Sequence, residues 1–427
     1  MSAPAARLAL ALAACACVCA GATPAAAGRW IGAAELGFDS YTERYSISEA
    51  DTLSSINEAR ARLRLGYAAG SIGRNYALFE ARQYFGASSQ ETAAHTLITQ
   101  RLGRTARVVT HIDGEIARHS YRHNSTYEFP NDYTRAYARV GVRARTGSLV
   151  TLRLDDRVEY LDYQRRTEFD YDYTRNVATG VVDIARDPLR SVSGGVRFAT
   201  MSIPDSSEIE YHSLGPILEF RAFGAPRERV YVTLAADRRT YPDDGTRSSF
   251  WAVTGSGLLE VPVARQWSIE MAGDVDDYRY DTVTGAYNDY LESRAYVTGN
   301  WFSGTTRMGA GPAFGWLTSH DAPQDEYREL GVRVALEHIG SGGLYVSASY
   351  EPGLRDYSLY SDAGSVVDNA NVIFSDYTYH RVDLFLNARV HGPVWLSAFL
   401  DYQPEDHDRD GDDATATVGS FSITYSF

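Results

Sequence analysis

The sequence predicts an all-β chain folded as a closed antiparallel meander β-barrel of about 20 strands, with about 18 or 16 as alternatives. Two observations support this fold class. Apolar and polar residues alternate from Trp30 to the last residue, and turn sequences separate the alternating segments at regular spacing. Hairpins that follow one another around a closed sheet account for both patterns.

The alternation puts apolar side chains on one face of each predicted strand and charged side chains on the other, because successive side chains on a strand point to opposite faces. The pattern is clearest in the segments 58–67, 135–145, 329–337 and 381–389. A soluble sandwich also alternates, but it has no need for so many arginines in strand interiors. The sequence therefore predicts a barrel with a polar lumen.

Composition agrees with a transmembrane barrel and excludes other classes. Hydrophobic residues make up 44% of the chain and the mean hydropathy is -0.31, which is too polar for a bundle of membrane helices and too apolar for disorder. A barrel strand meets lipid with every second residue only, so its average hydropathy stays low. The net charge of -14 argues against a nucleic-acid partner.

The turn signals fall into two kinds. Short turns are predicted at 70–71, 103–104, 146–147, 187–188, 224–226, 264–265, 304–305, 340–342 and 391–393. Longer loops rich in Asp, Asn, Ser and Tyr are predicted between them, at 42–54, 120–131, 203–208, 281–288, 319–326, 358–371 and 403–413. Short turns at one end and long loops at the other are typical of a barrel that crosses a membrane with both termini at the short-turn end.

The N-terminus predicts export. Arg7 is followed by the apolar run 8–20 and by small residues at 25–27, which indicates a signal peptide over 1–27 and a mature barrel over 28–427. An alternative is a lipobox at 12–15 that would leave Cys15 lipidated. All three cysteines lie in this segment, so ordinary cleavage leaves neither a disulfide nor a thiolate site.

The last strand carries the one family resemblance. One face of the segment 420–427 is apolar and ends in an aromatic pair, and its members are Phe421, Ile423, Tyr425 and Phe427. A final strand of this kind resembles the insertion signal of Gram-negative outer-membrane β-barrel proteins, with a porin-like pattern along the whole mature chain. The resemblance implies an outer-membrane location with both termini periplasmic. It also implies Tyr425 and Phe427 as an assembly signal, and outer-membrane lipid, lipopolysaccharide and the barrel assembly machinery as partners.

The charged faces supply the candidate site. The residues predicted to line the lumen are Arg60, Arg62, Arg64, Arg139, Arg143, Arg153, Glu270, Asp274 and Asp276. The arginines fall in the early strands and the acids in the later ones, which suggests an arginine-rich wall opposite an acidic wall, an arrangement that selects ions. The alternative is an ordinary wet lumen without segregation.

Two further patterns have weaker chemical meaning. The acidic run 406–413 begins like a calcium loop, but its twelfth position is Thr417 instead of a glutamate, so we expect a solvated surface loop. His119 and His123, and likewise His212 next to Ser213, suggest a catalytic site at the rim of the barrel. However, His119 and His123 are four residues apart, and residues at that spacing on a strand lie about 13 Å from each other. We therefore predict no enzyme activity, no cofactor and no metal.

The function expected from these observations is a channel that lets small hydrophilic solutes diffuse across the outer membrane. Two alternatives stay open at this stage. One is a barrel that serves polysaccharide or protein export, and the other is a surface-interaction barrel whose lumen is occluded.

The closed barrel makes a prediction for the purified mature protein. Because a closed sheet has no free edge from which to unzip, we expect a β-rich circular dichroism spectrum and faster migration in detergent gels before boiling than after. Identical migration together with a helical spectrum would contradict the fold.

Overall fold

The computed structural model describes residues 28–427 apart from 48–49, 71–74, 87–88, 103–106, 122–130, 166–169, 188, 205, 225–227, 243–246, 285–286, 359–374 and 409–412. The predicted signal peptide, and with it the lipobox alternative at Cys15, lies outside the described residues.

The described chain forms a 20-stranded antiparallel sheet. Its strands are β1 Arg29–Ile47, β2 Ala50–Gly70, β3 Tyr76–Phe85, β4 Ser89–Leu102, β5 Val108–Tyr121, β6 Tyr133–Arg145, β7 Val150–Tyr163, β8 Tyr173–Asp187, β9 Arg190–Ser202, β10 Tyr211–Phe223, β11 Arg229–Thr240, β12 Phe250–Ala264, β13 Trp267–Tyr280, β14 Tyr290–Ser303, β15 Thr306–Thr318, β16 Tyr327–Ile339, β17 Tyr345–Tyr357, β18 Tyr377–His391, β19 Val394–His407 and β20 Ala414–Ser426. Two short 3₁₀ helices, Ser207–Ile209 and Pro323–Asp325, lie in connections. Among the described residues no helix has the length and apolar character needed to span a membrane.

The sheet closes on itself through its first and last strands. Each strand pairs with its neighbours in sequence, and β1 also pairs with β20, from Ala33 opposite Ser426 to Tyr45 opposite Ala414. Beyond the ladder, Gly32 and Phe427 exchange two backbone hydrogen bonds of 2.9 Å. A Cβ on Gly32 would lie 2.3 Å from the Phe427 ring, so glycine makes room for it. The predicted closed meander barrel of about 20 strands is confirmed.

The two ends of the barrel differ as the turn signals predicted. The predicted short turns all join strands at the end where β1 begins and β20 stops, and Gly304 and Gly392 adopt positive φ angles there. The opposite end of the barrel, where β11 ends at Thr240 and β12 begins at Phe250, and where β13 ends at Tyr280 and β14 begins at Tyr290, is called the loop end.

One predicted loop is wrong. Residues 42–54 belong mostly to the extended hairpin of β1 and β2, whose ladder continues to Ile47 opposite Ala50. The predicted loop 403–413 likewise begins as strand, because β19 continues to His407. At both places the polar composition led to a prediction of loop where the chain forms strand. Antiparallel backbone pairing continues wherever two strands stay adjacent, and it does not need apolar side chains.

Prolines in strand interiors interrupt the ladder locally. Proline has no N–H to donate and is normally confined to sheet edges, which a closed barrel does not have. The pairing of β14 with β15 jumps from Tyr296–Ala313 to Gly299–Ala310 and so skips Gly311 and Pro312. A Cβ on Gly311 would lie 1.8 Å from the Val297 carbonyl oxygen. The glycine lets the interrupted strand stay close to its neighbour.

The two faces of the sheet differ in chemistry. One carries large apolar side chains that are well exposed, among them Leu36 at 69% and Leu154 at 63%. The other carries ion pairs between strands that are not neighbours, such as Arg229 on β11 with Glu270 on β13 at 3.0 Å. Side chains from strands two apart converge only on the concave side, so the charged face is the inner wall and the apolar face is the outer surface.

The closure geometry makes a prediction for the C-terminus. Deleting Phe427 removes two closing hydrogen bonds and one outward ring, whose burial in lipid accounts for about 1.5–3 kcal/mol. We expect the variant to refold in detergent but to lose most of its insertion into the outer membrane of cells. A fractionation experiment that finds normal insertion would show that Phe427 is not part of an assembly signal.

Candidate functional site

The inner wall of the barrel is the candidate functional site, and its early strands carry most of the predicted arginines. Each of these arginines except Arg143 is ion-paired: Arg60 with Asp39 at 2.7 Å, Arg62 with Glu35 at 3.6 Å, Arg64 with Glu80 at 3.2 Å, Arg139 with Asp155 at 2.8 Å and Arg153 with Asp183 at 3.5 Å. Arg143 forms no ion pair within 4.0 Å in the described part of the chain and is exposed.

The hypothesis of one arginine-rich wall and one acidic wall is wrong. Acidic residues interleave with the arginines on the early strands, and two of them, Glu80 and Glu115, are buried beside Arg82 at 2.5 and 2.9 Å. Except at Arg143, a carboxylate on the same strand or on a nearby strand lies beside each of these arginines, which lowers the energy of burying both charges. In the sequence, the acidic partners of these arginines appear only as single residues scattered over neighbouring strands.

A second set of charges lies on β11 to β15. Glu260 and Glu270 are buried, and Arg229 pairs with both at 2.5 and 3.0 Å. Arg307 reaches Glu270 at 2.6 Å from the other side. Ser268 donates to Glu260 at 2.5 Å. The predicted lumen residue Glu270 is therefore part of a tightly satisfied network that stiffens the wall.

The other two predicted acids differ from Glu270. Asp274 and Asp276 lie on the same face of β13, but neither forms an ion pair within 4.0 Å with any described residue. Asp276 also stands directly opposite Glu292 of β14, and like charges at such positions repel. Asp274 stands opposite Arg294, so the repulsion between like charges is concentrated at Asp276 and Glu292.

A third network, on β14 to β18, was not predicted as a unit. Its acids, Glu329 and Glu351, have side chains only 4% and 5% exposed. Its basic residues are Arg294, Arg333, Arg355 and Arg381. Tyr379, itself buried, donates to Glu329 at 2.9 Å. The sequence could not show this set because the partners lie up to 57 residues apart along the chain.

Aromatic side chains gather on the inner wall at the loop end. Tyr211, Tyr241 and Phe250 form one buried cluster, and the other consists of Tyr327, Tyr357, Tyr377 and Tyr379. Guanidinium groups lie over these rings, with Arg355 at 3.9 Å from the centroid of Tyr327. These rings extend inward from the wall at the loop end, and the sequence pattern did not single them out.

The residues considered for catalysis are not brought together. His119 stacks on Tyr133 and lies 3.6 Å from Glu91, while His123 lies outside the described residues. His212 and Ser213 are adjacent on β10 and so point to opposite faces. The absence of enzyme activity stays a prediction.

The calcium question concerns residues that are only partly described. Positions 409–412 of the acidic run lie outside the described residues, and Asp413 accepts a hydrogen bond from the His407 backbone N–H at 2.9 Å. Among the residues that the structure describes, no group of three or more His, Cys, Asp or Glu side chains is placed to hold a metal ion.

Taken together, the fold and the wall define a class. A closed antiparallel barrel with an apolar outer band and a charged inner wall has the architecture of a transmembrane β-barrel.

Solved structures share this fold. The copper transporter OprC matches with a TM-score of 0.56 and 11% identity, over 95% of this chain and 81% of that one. The ferric enterobactin receptor PfeA of Pseudomonas aeruginosa matches with a TM-score of 0.55 and 9% identity, over 95% and 81%. The outer-membrane protein OpdK of P. aeruginosa matches with a TM-score of 0.47 and 14% identity, over 93% and 99%. At these identities the likeness establishes the fold alone. No family model and no curated protein matches the sequence.

The buried network makes a prediction about stability. Replacing Glu329 by Gln keeps its shape but leaves Arg355 without its counter-ion and Arg381 with Glu351 alone, and loss of one partner in a buried pair costs about 3–5 kcal/mol. We expect that decrease in the free energy of unfolding by urea.

The matched control for this prediction is Glu337→Gln. The Glu337 side chain is 45% exposed and lies 3.4 Å from Arg307, so its loss should cost about 0–1 kcal/mol. Equal effects of the two substitutions would show that burial does not govern the network.

Proposed function

We propose that the protein is a channel in the bacterial outer membrane through which small hydrophilic solutes diffuse. The observation that carries this proposal is the solvent exposure of charged side chains on the inner wall. The side chains of Arg62 and Arg64 are 53% and 50% exposed although they face the interior of the barrel. Charged groups in that state stand beside water-filled space, which is what a diffusing solute needs.

The size of the barrel supports the same proposal. A cylinder of 20 strands spaced about 4.8 Å apart and tilted by about 40° has a backbone diameter of roughly 40 Å. Barrels of 16–18 strands already leave an aqueous channel in other proteins. Side chains of the wall alone do not fill a barrel of this width.

The orientation follows from the asymmetry of the ends. In this proposal the short turns and both termini face the periplasm, and the loop end faces outward. The apolar outer surface contacts outer-membrane lipid and lipopolysaccharide, and Tyr425 and Phe427 are read by the barrel assembly machinery. The exposed outward positions of these two rings support that role.

The direct test is single-channel recording of the refolded protein in planar bilayers, together with swelling of liposomes in small uncharged solutes. Discrete conductance steps and solute entry are expected. A folded, heat-modifiable barrel that neither conducts nor passes solutes would overturn the proposal and favour an occluded surface barrel.

Charge substitutions test which residues line the path. Arg143 has no counter-ion within 4.0 Å among the described residues, so Arg143→Gln changes the local charge of the wall directly. We expect the reversal potential in a salt gradient to shift toward cation preference, and the shift to shrink at high salt because screening acts over about 10 Å at 0.1 M.

The matched control is Arg279→Gln. This substitution also removes one positive charge, but from the outward face of β13, where Arg279 pairs with Asp277 at 2.8 Å. This variant should leave the reversal potential unchanged. An unchanged potential in a conducting Arg143 variant would mean that the arginine does not border the permeation path.

A further inference from the structure

The inner wall has a cavity of about 560 Å³ at the loop end, between the ends of β13 to β17. Four tyrosines, Tyr280, Tyr290, Tyr327 and Tyr357, line it, and we call it the tyrosine pocket. Its volume lies within the range of about 300–1,000 Å³ that small-molecule sites occupy. It stands apart from the lumen arginines predicted from the sequence.

The aromatic walls of the tyrosine pocket are held in place by their neighbours. Tyr290 stacks on Tyr278 with a centroid distance of 4.9 Å and an interplanar angle of 17°. Tyr327 and Tyr357 meet edge to face at 5.9 Å. Rings fixed in this way lose little conformational entropy when a ligand packs against them.

Polar groups with unused hydrogen-bonding capacity face the same cavity. Glu292 accepts one hydrogen bond, from the Tyr327 hydroxyl at 2.6 Å, and forms no ion pair within 4.0 Å in the described residues. The side chains of Asn288 and Asp325 make no hydrogen bond to any other described residue. Burial raises the pKa of the Asp325 carboxyl above its usual value. The carboxylates of Glu292 and Asp325 can therefore accept hydrogen bonds from a ligand, and the Asn288 amide can both donate and accept them.

The charges of the tyrosine pocket narrow the choice of ligand. Unpaired Glu292 and Asp325 disfavour an anion. A cation is repelled by Arg355. The guanidinium of Arg355 already lies 3.9 Å from the centroid of the Tyr327 ring and is held by Glu329 at 2.7 Å. A neutral ligand with apolar C–H faces and hydroxyl edges suits both the rings and the free oxygens.

We propose that the tyrosine pocket binds neutral saccharides, with sugar rings stacked on its tyrosines and their hydroxyls donating to Glu292 and Asp325. This proposal rests on the proposed function in one respect, because a sugar held in the tyrosine pocket would stand at the outer entrance of the channel. Binding itself does not require that the barrel conduct.

The test is calorimetric titration of the detergent-folded, full-length mature protein with cellotetraose and maltotetraose, each up to about 10 mM so that a Kd as weak as about 1 mM is seen. At least one should bind. Tyr290→Leu should weaken that binding by about threefold to tenfold, the loss typical of one aromatic contact. Asp325→Asn, a loop substitution that breaks no described side-chain contact, should weaken it too and covers the case in which the Tyr290 variant fails to fold.

The matched control is Tyr163→Leu. Tyr163 also lies at the loop end of its strand in an edge-to-face pair, with Tyr133 at 5.6 Å, but on the other side of the barrel. The Tyr163→Leu variant should bind the saccharide with the same affinity as the parent protein. Equal weakening by this variant would mean that the effect is not local to the tyrosine pocket.

The remaining outcomes separate the two proposals. Failure of both saccharides to bind, or binding of tetramethylammonium or benzoate in their place, would overturn the saccharide site even in a conducting channel. Saccharide binding to a barrel that never conducts would support the site and overturn the channel. In a conducting barrel, added saccharide should reduce the current, and less so in the Tyr290 and Asp325 variants.

Discussion

The structure depends on the need of every membrane-embedded backbone N–H and C=O for a partner within the protein, because hydrocarbon offers none. Antiparallel strands meet this need only if the sheet has no edge, and the pairing of β1 with β20 removes it. Gly32 and Phe427 extend that seam to the last residue. Interior prolines disturb the ladder, and an adjacent glycine such as Gly311 keeps the disturbance short.

Closure also decides how the charges behave. Once the polar faces turn inward, arginines and acids from strands two or three apart meet across the concave wall, and they do so as compact networks instead of opposed walls. The buried carboxylates Glu260, Glu329 and Glu351 anchor these networks and give the wall rigidity. Arg143 and Asp276, which form no ion pair within 4.0 Å among the described residues, are well placed to act on a solute in the proposed channel.

The loop end combines two kinds of surface in one region. Buried tyrosine clusters stiffen the wall where the long connections begin, and tyrosine rings and carboxylates line the tyrosine pocket between β13 and β17. In the proposed channel, a solvent-exposed charged wall below and an aromatic surface above would offer a polar solute weak, sequential contacts in exchange for its hydration. Such contacts favour entry without trapping the solute.

The sequence by itself determined the fold class, the approximate strand number and the inward and outward faces of the clearest strands, because alternation and turn spacing are local properties of the chain. It also placed the short turns, and it erred at 42–54, where polar composition hid a continuing hairpin. Only the tertiary structure decided which charges pair, since partners such as Arg294 and Glu351 lie 57 residues apart and meet through the curvature of the wall. The tyrosine pocket has the same origin. Its rings come from the neighbouring strands β13 to β17, and the curvature of the wall decides that they border one cavity, which no local pattern records.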